Sequence, residues 1–72
     1  QFAKVQPGMD KEAVRRLLGK PAKQMVFVLK QETDWDWNWI DPPSREMVLT
    51  VTFGADGRVL RAASVEKLRD GN

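Results

Sequence analysis

Residues 33–41 read TDWDWNWID, with Trp35, Trp37 and Trp39 at every second position and Asp34, Asp36 and Asn38 between them. In an extended chain successive side chains point to opposite faces of a sheet, so this alternation reads as a strand with one indole face and one polar face. Three of the chain's six aromatic residues sit in this stretch. A 72-residue chain without cysteine has no disulfide or thiolate metal site to stabilise it, and it buries only about 60% of the surface its unfolded form exposes. Stability must come from packing, which makes the tryptophans valuable as core material. The expected arrangement therefore places Trp35, Trp37 and Trp39 in the core and leaves Asp34, Asp36 and Asn38 on the solvent face.

Upstream, PGMDKEAVRRLLGKP carries start and stop signals for a short helix. Asp10 suits the N-cap, Glu12 brings negative charge to the first turn, and Arg15 and Arg16 bring positive charge to the last turns. Val14, Leu17 and Leu18 make one apolar stripe, and Met9 is placed to staple onto Val14. Gly19 fits the C′ position and Pro21 prevents continuation. The run KQMVFVLKQ predicts a short strand over 24–30, although its apolar residues are continuous and do not define a buried face. Asp41-Pro42-Pro43-Ser44 must be a loop. In REMVLTVTFGADGRVLRAASV, Met47, Leu49, Val51 and Phe53 share one face, Asp56-Gly57 is a tight-turn signal, and 59–63 returns as the last strand. The polar tail EKLRDGN is expected to fray, and Phe2 and Val5 to end a further helix.

A helix followed by three or four strands on short connections implies an α+β fold. The expected form is a two-layer sandwich, with one or two N-terminal helices packed on a three- or four-stranded antiparallel sheet. Its predicted core is Met9, Val14, Leu17, Leu18, Trp35, Trp37, Trp39, Leu49, Val51 and Phe53.

The residue inventory bears on function too. Histidine, cysteine and tyrosine are absent, which removes the usual nucleophile–base pairs and most metal ligands. Asp34 and Asp36 on an exposed strand face have nothing to tune them as an acid–base pair. Asp34-x-Asp36-x-Asn38 resembles the first half of a calcium loop, but Trp39 stands where glycine is needed and Arg45 where glutamate is needed. No enzyme, cofactor or metal is expected. Net charge is only +2, distributed as +5 over residues 1–30, −4 over 31–46 and +1 over 47–72. Because the tryptophans lie in the acidic middle, which repels phosphate, nucleic acid is not an expected partner. The other use of an indole row is a platform for a small ligand or inhibitor-type target, which needs exposed tryptophans.

Three stretches together resemble the SmpA/OmlA (BamE-like) family of outer-membrane lipoproteins. Gly8, Met9, Val14, Leu18, Gly19 and Pro21 match its GM(T/S)xxxVxxxLGxP signature. Trp35 and Trp37 match its W-x-(Y/W) strand. Leu49, Thr50, Val51, Phe53, Gly57 and Val59 match its LTVxFxxxGxV hairpin. The order and spacing agree over roughly residues 5–65, while the segment KQMVFVLKQET has no counterpart in the pattern. The resemblance implies a single non-catalytic domain, residues 1–72, belonging to a longer lipoprotein at the periplasmic face of the outer membrane. It implies a scaffold or interaction module in outer-membrane assembly or envelope integrity, as a monomer or a domain-swapped dimer. Expected partners are a cell-envelope protein and anionic lipid headgroups. The partner-facing candidates are Arg15, Arg16, Asp34, Asp36, Asn38, Asp41, Pro42 and Pro43.

Overall fold

The computed structural model describes residues 4–67. The elements run α1 (Lys11–Leu18), β1 (Lys23–Phe27), β2 (Glu32–Asp41), β3 (Arg45–Phe53) and β4 (Val59–Glu66). The fold is α+β: one short helix and a four-stranded antiparallel sheet in the order β1-β2-β3-β4, each strand beside its neighbour in sequence.

The helix forms where its local signals are densest. Asp10 is the N-cap, its Oδ1 accepting from the Ala13 amide at 2.8 Å. Gly19 ends the helix at φ 84°, ψ −168°, with its own amide donating to the Arg15 carbonyl at 2.7 Å. That conformation is not the left-handed helical one expected for C′, but an extended positive-φ region open almost only to glycine. Both helix ends are tied to the sheet. Before the N-cap, the Gly8 amide donates to the Val59 carbonyl (2.9 Å) and the Val59 amide to the Met9 carbonyl (2.8 Å). After the last turn, the Trp37 Nε1–H donates to the Gly19 carbonyl at 3.2 Å.

Between these ties the helix inserts Val14 into a buried cluster with Trp35, Trp37, Leu49, Val51, Phe53 and Val59. Val5, Met9, Leu18 and Trp39 pack against that cluster half-buried, and Leu17 is also half-buried. An eight-residue helix turns only a narrow strip toward the sheet, so one residue of the predicted stripe is fully enclosed and its companions lie at the margin. Trp35 meets Trp37 edge to face at 6.1 Å between centroids, and Phe53 at 4.8 Å. These arrangements complement the charge distribution of the rings.

The ends of two strands differ from the sequence expectation. β1 stops at Phe27 because Val28–Gln31 close a turn, the Gln31 amide donating to the Val28 carbonyl at 3.2 Å with Gln31 at φ 57°. β4 continues past Ala63 to Glu66 because β3 begins at Arg45 and offers partners that far: Val48 to Val65 and Met47 to Glu66. Glu66 is therefore strand rather than frayed tail; the rest of that tail beyond Lys67 lies outside the described residues, as does Phe2, the other half of the expected preceding helix. The Asp56-Gly57 turn forms as expected, with Gly57 at φ 78°.

Candidate functional site

The pleat of the sheet separates the predicted site residues onto two sides. Arg15 and Arg16 are exposed on α1, over the tryptophan face. The Arg15 guanidinium carbon lies 5.2 Å from the Trp35 ring centroid, and the Lys11 ammonium 6.0 Å from it. One helical turn apart, these two cations roof the indole from the solvent side, so Arg15 has a packing role besides any outward one. Trp35 and Trp37 are 5% and 6% exposed. Trp39 is half-buried, so no indole row is presented to solvent: the tryptophans serve the core as expected, and the alternative of a platform for a small ligand loses its exposed surface. Burying the largest side chains is what a core this small requires.

Asp34, Asp36 and Asn38 lie on the opposite face, away from the helix. Register sets Asp34 against Thr52 and Asp36 against Thr50. The Thr52 hydroxyl donates to Asp34 Oδ1 and the Thr50 hydroxyl to Asp36 Oδ1, both at 2.8 Å. Both carboxylates are half-buried and Thr52 is only 4% exposed, so this is a fitted polar layer and not the bare solvent face that the alternation implied. Arg61, facing Thr52 from β4, pairs with Glu32 at 3.3 Å and extends the layer across three strands. Asn38 is exposed. Thr50 and Thr52 were absent from the predicted set although the sequence carries their signal. The turn that pairs Asp41 with Arg45 places them opposite Asp36 and Asp34 by counting outward along the two strands.

Because each hydroxyl–carboxylate pair is half-sheltered, Asp36→Ala should destabilise the domain by about 1 kcal/mol rather than leave stability unchanged. A double-mutant cycle with Thr50→Val should recover a coupling of about 0.5–1 kcal/mol by urea unfolding. Zero coupling would mean that the bond is not held in solution.

Asp41, Pro42 and Pro43 stand apart from both surfaces, at the end of the sheet where β2 turns into β3. Asp41 Oδ2 lies 3.8 Å from Arg45, which also reaches Glu66 at 4.0 Å, and the Pro42-Pro43 peptide is cis. The eight candidates thus divide into a basic helix patch, a polar sheet layer and a proline loop, and do not converge on one pocket. The extended backbone also spreads Asp34, Asp36 and Asn38 along a strand instead of wrapping them around a centre. Among the described residues no group of three or more His, Cys, Asp or Glu is placed to hold a metal ion.

No protein-family model and no curated protein matches the sequence. Among solved structures, the chain is similar to a crystal structure described as that of an osmotically inducible lipoprotein, OsmE, with a TM-score of 0.76 and 19% sequence identity over 88% of this chain. The match spans 65% of that lipoprotein's solved chain. At that identity the likeness is one of backbone alone. In its fold, the chain resembles that lipoprotein over most of its own length.

Proposed function

We propose that the chain is a non-catalytic domain of a lipid-anchored envelope protein. Residues 1–72 form one unit of a longer lipoprotein at the periplasmic face of the outer membrane, and it acts as a scaffold or interaction module in outer-membrane assembly or envelope integrity. The observation that carries this reading is the shared fold with the OsmE lipoprotein over 88% of the chain. The chemistry of the surfaces is in keeping with it, since the half-buried carboxylates are engaged by hydroxyls and the indoles by the core. We read the helix and sheet as the two layers of a sandwich, with Val14 as the contact between them.

The outward-facing candidates are then docking groups for a protein partner of the envelope. Arg16, with Arg15 beside it, offers donors to an acidic surface, and Pro42-Pro43 offer a preformed turn. Asp34, Asp36 and Asn38 offer a second surface of opposite character, and Asp41 flanks the proline turn. The working state is a monomer or a domain-swapped dimer.

The test is genetic and biochemical. Deleting the gene should raise outer-membrane permeability to large antibiotics, and the mature protein should fractionate with the outer membrane. Complementation with Arg15→Glu/Arg16→Glu should fail at normal protein levels. A mature protein found in the soluble fraction, with unchanged permeability in the deletion strain, would refute the reading.

A further inference from the structure

β1 leaves one edge of the sheet open, and it lacks the charges and prolines that usually guard such an edge. Of its five residues only Lys23 is charged, while Met25 and Val26 are 43% and 66% exposed. The opposite edge is partly closed, because at the start of β4 the Val59 amide and carbonyl are both taken by Met9 and Gly8. The bonding direction of β1 is set by its neighbour. The Ala22 amide donates to the Asp36 carbonyl at 2.8 Å, so even-numbered residues of β2 bond toward β1. Their register partners Lys23, Met25 and Phe27 therefore bond inward. Gln24 and Val26 are left directing N–H and C=O outward from the sheet.

A second copy of β1 fits this edge in an antiparallel register centred on Met25. That register overlaps the whole strand: Met25 faces Met25, Gln24 faces Val26, and Lys23 faces Phe27 across a two-fold axis. The outward groups then meet as narrow pairs, with two hydrogen bonds in each of the two Gln24–Val26 pairs. Charge is complementary as well. Lys23, Met25 and Phe27 share a sheet face with their register partners Asp36, Asp34 and Glu32. The two methionines separate one copy's carboxylates from the other's, so no like charges stand directly opposed across the seam. Each half of the seam gathers Lys30, Arg61 and the second copy's Lys23 with Glu32, Asp34 and the second copy's Asp36, three charges of each sign. We propose that the chain self-associates through β1, two copies joining their four-stranded sheets edge to edge into one of eight strands. No segment is exchanged, so each copy keeps its own fold and the association is distinct from a domain swap. A five-residue strand makes a small interface, so the dimer forms and dissociates with concentration. It requires neither anchor nor envelope partner and stands apart from the lipoprotein reading.

The absence of cysteine allows a register test on the purified chain. Met25→Cys places two thiols directly opposite each other, about 4.5–5.5 Å apart at Cβ, and should give a disulfide-linked dimer on mild oxidation. Leu29→Cys is the control: Leu29 is 100% exposed, so random collision favours it, yet this register holds it far from its copy. The yield of dimer at 25 should exceed that at 29 severalfold. Sedimentation equilibrium should show the parent passing from monomer to dimer between micromolar and millimolar concentration. Val26→Pro removes only an outward N–H, which an edge strand tolerates. It should weaken association by about tenfold or more, with the circular dichroism of the parent. A parent that stays monomeric throughout overturns the proposal, as does cross-linking at 29 equal to that at 25. Association of Val26→Pro equal to the parent's also overturns it, and dimers that then persist on dilution point to exchanged segments. None of these outcomes bears on the fractionation test of the lipoprotein reading.

Discussion

Trp37→Ala should abolish cooperative folding or lower the thermal midpoint by about 15 °C or more. Three contributions coincide at this residue. Its indole lies in the central cluster, where aromatic-to-alanine truncation costs about 3–5 kcal/mol. Its edge-to-face neighbour Trp35 loses the partner on that side. Its Nε1–H also holds the carbonyl of Gly19, so the C-terminal end of α1 loses its tie to β2. A domain of this size has a total stability of only about 4–11 kcal/mol, so a loss of this order is a large share of the whole. Each kcal/mol moves the midpoint by about 4–8 °C at this chain length. Trp37→Phe should remain folded with a smaller loss, since it keeps much of the buried area and gives up the hydrogen bond. A sharp thermal transition for the alanine variant within a few degrees of the parent would show that the cluster is not the stability core.

Val14→Asp tests the helix separately. Val14 is fully enclosed among Trp35, Trp37, Leu49, Val51, Phe53 and Val59 and has no polar atom to pair with. A carboxylate there must be desolvated without compensation, at a cost of several kcal/mol, or the helix must lift away. An eight-residue helix has little stability of its own once detached. The expected signature is loss of helical ellipticity together with red-shifted, acrylamide-quenchable tryptophan emission, because α1 shields Trp35 and Trp37. Val14→Ala should retain the parent spectrum and lose roughly 2 kcal/mol. Parent-like quenching for Val14→Asp would mean that the indoles are covered by something other than this helix.

How far the sequence foretold these features depends on whether the controlling interaction is local. The helix was legible almost to the residue because its determinants lie within one turn of its ends: the Asp10 cap, the Met9–Val14 staple and Gly19. β2 and β3 were legible because one buried face imposes alternation on Trp35, Trp37, Leu49 and Val51. β1 was legible as a strand but not in its end or its face, because a mostly exposed edge strand receives no such imprint, and its run of valine, phenylalanine and leucine concealed the turn at Val28. The end of β4 depends on where β3 begins, which is a pairing decision rather than a local preference. The same limit applies to the candidate site. Asp34 and Asp36 could be assigned to a face by alternation, but their threonine partners appear only once the register with β3 is known.

The order of the strands bears on how such a domain can vary. The ties of α1 reach Val59 at the start of β4 and Trp37 in β2, while β1 hydrogen-bonds as a strand only to β2. Helix, β2, β3 and β4 thus form a closed set of dependencies, with β1 attached at its margin. Substitutions in β1 and in its turn to β2 meet little constraint from the core, so the length and chemistry of that segment are free to diverge while the remainder is held fixed. A chain of 72 residues can in this way keep one invariant frame and carry one adaptable limb.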